Sequence, residues 1–203
     1  KKETIMSKRY NKIPKYLSPG ETKRFLDVAY FFNETKNAFK SSNMLLCIKF
    51  QLYAGLRVQE ALNITPGNIT IEPTLNELKV IDGKGKKDRV VPIAAPLLED
   101  IRFVNNYLSV PKHKPYVKII SRKTVGEWYK KIAAKANVEI NGTHTLRHTF
   151  ARNCLRNGVP INVLQNLLGH TDLRSTLVYL KINPSSEELN KAMNLVQQEI
   201  KGY

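Results

Sequence analysis

The chain has 203 residues, enough for one domain with a real hydrophobic core, and its 42% apolar share is that of a folded protein rather than a disordered one. Its 33 Lys and Arg against 17 Asp and Glu leave a formal net charge of +16, which points to a polyanionic partner, because a basic surface attracts phosphates and gains from counterion release. No apolar run is long enough to span a membrane and the basic N-terminus has no signal-peptide character, so a cytoplasmic setting is expected.

Residues 1–17 are rich in Lys and Arg and poor in apolar content. They read as a basic N-terminal linker, either a disordered leader or a strand of chain lying on DNA, and the sequence as a fragment or single-domain version of a longer protein. Ser18-Pro19-Gly20-Glu21 has the form of a capping box with Pro at the first helical position, predicting a helix to about Phe32. Met44, Leu45, Ile48 and Leu52 fall at helical spacing and predict a second helix over 41–54, broken by Gly55. Arg57 to Leu62 reads as a short helix, ended by Thr65-Pro66-Gly67. The period then changes. Ile69–Glu72, Glu77–Ile81 and Arg89–Ile93 are short strand-like runs, the last two joined by the glycine-rich turn Asp82 to Lys87. Helices are expected again over 96–108, 122–136, 144–157, 160–168, 172–180 and 186–200, with Gly158 and Gly169 as C-caps. The prediction is a mainly helical α+β domain over 18–183, with one small antiparallel sheet carrying a basic hairpin tip, and a tail helix over 184–203. Cys47 and Cys154 lack metal-ligand spacing and read as reduced core cysteines.

The chemistry-bearing residues are weak signals one at a time. Gly83 to Lys87 lacks the Lys-Ser/Thr that a P-loop needs after its second glycine, so nucleotide binding is rejected. His144, Arg147 and His148 share one face at the start of a helix, a natural place for a phosphate. Arg57 follows a helix break and by itself is only a surface partner for Glu60. His170 lies just past a capped helix, and Tyr179 by itself is a packed aromatic.

Taken in order, these segments resemble the tyrosine recombinase family (phage integrase and Xer-type), over roughly residues 14–182. The first-arginine box T-G-L-R-x-x-E is represented by Ala54 to Glu60, the hairpin signature G-K-G-x-K-x-R-x-V-P by Gly83 to Pro92, and H-x-L-R-H-T-F-A by His144 to Ala151. The L-G-H box is Leu168-Gly169-His170, and the nucleophile position nine residues later is Tyr179. Ala54 departs from a common Thr, and Leu180-Lys181 stands where many members have Thr-His; neither replaces a catalytic side chain.

The resemblance implies the tyrosine recombinase catalytic-domain fold and strand cleavage through a 3′-phosphotyrosyl intermediate. Attack on a phosphodiester builds negative charge on the non-bridging oxygens, which Arg57 and Arg147 can hold with charge-assisted bonds and His170 with a further donor. The Tyr179 hydroxyl needs a proton acceptor, for which His144 is expected. By resemblance Lys84 protonates the departing 5′ oxygen, with Lys86 and Lys87 as rivals. Glu60 is expected to orient Arg57 or a neighbouring helix, and His148 to play a similar supporting part. Lys86, Lys87 and Arg89 are expected to touch DNA. No metal or nucleotide cofactor is required. The expected partners are double-stranded DNA and the chain itself, as four protomers on two duplexes passing through a Holliday junction. The role could be that of a mobile-element integrase or of a Xer-like resolvase. Topoisomerase-like relaxation and a non-catalytic DNA-binding protein of the same fold are the alternatives. Leu189, Met193, Val196 and Ile200 form one apolar stripe on the tail helix, to be buried on its own domain or, as the resemblance implies, on a neighbouring protomer.

Overall fold

A computed structural model describes residues 14–35, 38–81, 88–108, 110–117 and 121–181, together with Asn190 and Asn194. Helix α1 (Pro19–Thr35) begins at the expected capping box. Ser18 N donates to Glu21 Oε2 at 2.7 Å, and Glu21 N donates to Ser18 Oγ at 3.3 Å. The chain enters the domain earlier than a linker ending at residue 17 implies. Leu17 is fully buried in the core, and its N–H donates to Thr149 Oγ1 at 2.9 Å.

Helix α2 (Ala38–Ala54) starts before the expected residue 41 and is the central post of the domain. Every residue from 44 to 52 is buried, so the apolar spacing seen in sequence understates it. Two polar members are satisfied by distant partners: Lys49 pairs with Asp100, and Gln51 accepts from Tyr129 Oη at 2.6 Å. Gly55 then ends α2 with φ +65°, a conformation that disfavours any side chain, and a Cβ there would lie 2.4 Å from the Phe150 ring. Helix α3 (Val58–Asn63) follows, with a 3₁₀ turn at Pro66–Asn68.

Strands β1 (Ile69–Ile71), β2 (Asn76–Val80) and β3 (Arg89–Pro92) form the expected antiparallel sheet in the order β1-β2-β3. Leu78 pairs with Ile69 on one side and Val91 on the other, and Leu78, Val80 and Val91 turn into the core while Lys79 and Val90 face out. Helices α4 (Ala95–Leu108), α5 (Arg122–Ala136), α6 (His144–Arg156), α7 (Ile161–Leu168) and α8 (Arg174–Leu177) complete the domain, and a 3₁₀ turn at Val178–Lys181 replaces the end of the helix expected over 172–180. The main core gathers α1, α2, α4, α5 and the inner sheet face around Phe25, Ile48, Phe50, Leu97 and Tyr129. A second, smaller cluster of Phe150, Ala151, Leu164, Leu168 and Tyr179 lies between α6, α7 and the 3₁₀ turn. Both cysteines are free; Cys47 is buried, but Cys154 is only half-buried, packed against the edge of the second cluster. No helix among the described residues is long and apolar enough to cross a membrane. The hairpin tip and the apolar stripe of the tail lie outside the described residues.

Candidate active site

Two helix ends and one carboxylate build the site. Arg57 is the N-cap of α3: its backbone N–H donates to Glu60 Oε2 at 2.7 Å and its Nη1 donates to Glu60 Oε1 at 2.7 Å. Arg147, on the first turns of α6, is buried and clamped by carbonyls from two other elements. Its Nη1 donates to Gly55 O at 2.7 Å and its Nη2 to Leu168 O at 2.6 Å. Burial lowers its pKa to about 9, which leaves the guanidinium charged at neutral pH. Glu60 also lies 3.6 Å from Arg147 Nη1, so one carboxylate faces both arginines.

The end of α7 explains the Leu-Gly-His segment. Gly169 adopts φ 62°, and a Cβ there would lie 2.9 Å from the Arg89 guanidinium. The turn delivers His170 to Arg147, whose Nη2 is 3.1 Å from His170 Nε2, while His170 Nδ1 is 2.9 Å from Thr176 Oγ1. Burial, reinforced by Arg147 and Arg57, pushes the His170 pKa down to about 3.

Tyr179 is 3% exposed, and its hydroxyl lies 2.7 Å from His148 Nδ1. Burial pushes the phenol up to about 12, against the pull of Arg147 and Arg57. His148 is held down to about 4 by burial, with His144 and Arg147 adding to it. Both groups are therefore neutral at pH 7, and the hydroxyl can donate to Nδ1 in the tautomer that leaves Nδ1 without a proton. His144 stands one ring further out, 6.1 Å from His148 between centroids. A phenol, two arginines and three imidazoles thus converge at the N-terminus of α6, a constellation that can bind a phosphate and attack it.

Residues 15–186 match the phage integrase family. The chain belongs to that family. Its relatives include the tyrosine recombinase XerA of Thermococcus onnurineus, 36% identical over 187 residues that cover 89% of this chain and 62% of the relative. A tyrosine recombinase of Pseudothermotoga lettingae is 32% identical over 195 residues, covering 93% of this chain and 63% of the relative. The chain therefore spans a little under two thirds of the length of these relatives. Among solved structures, a XerA recombinase superposes with a TM-score of 0.71 at 26% identity, over 91% of this chain and 65% of that one. The catalytic domain of bacteriophage HP1 integrase superposes with a TM-score of 0.62 at 26% identity, over 86% of this chain and 92% of that domain.

Within this integrase-family domain, the expected residues Arg57, His144, Arg147, His170 and Tyr179 are brought together. Lys84, Lys86 and Lys87 lie outside the described residues. Two of the expected residues have surroundings that the sequence does not indicate. Arg89 was assigned to DNA, but its side chain is buried: Nη1 and Nη2 donate to Glu60 at 3.1 and 2.8 Å, and Nε to Leu167 O at 2.8 Å. It is an internal brace between α3 and α7. His144 is the expected proton acceptor and His148 a supporting residue; the histidine nitrogen beside the hydroxyl is His148 Nδ1, at 2.7 Å. Sequence reasoning also missed Thr176, fully buried against His170, and Gln51, whose Nε2 donates to Thr143 O at 3.1 Å at the start of α6. Neither carries a sequence signal, since both look like ordinary helical polar residues. Among the described residues no group of three or more His, Cys, Asp or Glu is gathered for a metal.

Proposed function

We propose that this domain performs site-specific DNA recombination by cleaving and rejoining DNA through Tyr179, acting on duplex DNA in the cytoplasm and assembling as four protomers on two duplexes. The observation that carries the reading is the Tyr179 hydroxyl, 2.7 Å from His148 Nδ1 and close to two clamped arginines. The Tyr179 oxygen bonds to phosphorus as the bond from phosphorus to the 5′ oxygen breaks. The hydroxyl proton passes to His148, which this arrangement favours over His144. Arg57 and Arg147 neutralise the non-bridging oxygens, with His170 as a further donor. Lys84 is the proposed proton source for the leaving 5′ oxygen. Because the phosphodiester is exchanged for a phosphotyrosyl ester, a 5′ hydroxyl from a second duplex can reverse the step without ATP.

The test is covalent trapping. The chain is incubated with a pool of nicked duplexes of randomised sequence, and protein–DNA adducts that survive denaturation are selected and sequenced. The expected result is one phosphopeptide containing Tyr179, absent from Tyr179→Phe while DNA binding persists. An adduct mapped to Tyr129 or Tyr203, or unaffected by Tyr179→Phe, overturns the proposal.

A further inference from the structure

His170 is held between two groups of different kind. Arg147 Nη2 lies 3.1 Å from Nε2, and Thr176 Oγ1 lies 2.9 Å from Nδ1. A guanidinium can only donate, so Nε2 accepts and carries no proton. The single proton of the neutral ring is then on Nδ1, and Nδ1–H donates to the Thr176 hydroxyl. This tautomer cannot serve a phosphate on the Arg147 side, because donation there must come from Nε2–H. An anion arriving between Arg147 and His170 reverses the preference of the ring.

That reversal needs a particular partner on Nδ1, one that accepts a hydrogen bond before DNA arrives and donates one afterwards. A hydroxyl does both by rotating about one bond; a carboxylate only accepts, and an ammonium only donates. Thr176 is fully buried, so no bulk water takes its place beside Nδ1. It also lies on α8, three residues before Tyr179, so the residue that faces His170 is tied to the segment that carries the nucleophile. We infer that Thr176 is a positioning residue that selects the tautomer of His170, accepting from Nδ1–H in the free protein and donating to Nδ1 once Nε2–H turns to a phosphate oxygen. The half-buried ring takes one proton from solvent at Nε2 and releases the Nδ1 proton to solvent on turning transiently away from Thr176, so its net charge is unchanged.

The inference rests on the proposed phosphate-binding role of His170, and its test separates the two. In free protein labelled with ¹⁵N-histidine, with His170 assigned by comparison with His170→Asn, the expected ring is the Nδ1–H tautomer. A ring protonated on Nε2 overturns the inference whatever the chain does to DNA. On the nicked duplex selected by trapping, Thr176→Ser keeps the hydroxyl and is expected to form adduct at close to the wild-type rate. Thr176→Val is expected to be roughly 10- to 100-fold slower. It is also expected to recover as the pH falls, because the imidazolium carries Nε2–H whatever stands beside Nδ1. A Val variant matching wild type, or one slowed equally at every pH, overturns the inference. If Thr176→Val is unfolded by circular dichroism, Thr176→Ala takes its place with the same expectations. If the wild-type chain forms no adduct, the cleavage reading fails, and the labelled free protein still decides the tautomer.

Discussion

Glu60 is the residue on which the site balances. Burial works to raise its pKa, but the bonds and charge of Arg89, the Arg57 backbone N–H and the nearby charge of Arg147 outweigh it and bring it down to about 2. A carboxylate whose pKa falls on folding stabilises the fold fully above its unfolded value of 4.5, and that stabilisation is lost as pH falls toward about 2. The difference corresponds to about 3 kcal/mol. Glu60→Gln is therefore expected to lose stability of that order at neutral pH, and to flatten the decline between pH 4.5 and 2. Urea unfolding of both proteins across that window measures it; a variant as acid-sensitive as the wild type would contradict the assignment. The two histidines on α6 give a second expectation at this scale. Since His148 and not His144 touches the Tyr179 hydroxyl, His148→Ala should slow adduct formation by about 10²- to 10³-fold, and His144→Ala by less. The opposite ranking returns the proton to His144.

At the scale of elements, the Gly55 turn couples α2 to α6. It supplies the carbonyl that holds Arg147, and it is pressed against Phe150. Gly55→Ala would combine a left-handed alanine with a clash, costing roughly 2–4 kcal/mol and several degrees of melting temperature. Adding Phe150→Leu should recover the part due to the clash and leave the backbone part. Calorimetry that finds Gly55→Ala within about a degree of wild type, under the size scaling for a domain of this length, removes the turn from the account. This turn also shows what a sequence conveys. The Gly55-Leu56-Arg57 and Leu168-Gly169-His170 segments are legible because each packs its requirement, a left-handed glycine beside a functional side chain, into three consecutive residues. The cap of α1 and the alternation of Leu78 and Val80 are legible for the same local reason. Lys49 and Gln51 were not, since Asp100 and Tyr129, the partners that permit their burial, lie 51 and 78 residues away. Arg89 was misread because a basic residue at the foot of a basic hairpin looks solvated until α3 and α7 close over it. The pairing of Tyr179 with His148 depends on how the last 3₁₀ turn lies across α6, which no spacing records.

The chain carries +16 over its 203 residues, and on the proposed function this would set how it meets DNA. Binding to any duplex should be dominated by phosphate contacts. Affinity for a short oligonucleotide of unrelated sequence is expected to fall roughly 10³-fold or more between about 50 and 200 mM salt. Fluorescence anisotropy measures the slope, and a nearly flat response would mean that the charge is spread rather than gathered on one DNA-facing surface. On the proposed function, such a domain would touch every stretch of duplex it passes. Were its phenol displayed on the surface, each of those encounters would be an opportunity to nick. Instead Tyr179 is packed with Phe150, Leu164 and Leu168, 3% exposed and bonded to His148. That packing leaves the oxygen little open to a passing phosphate. On that function, holding DNA and cutting it would be separate events, and a genome could be scanned without being scarred.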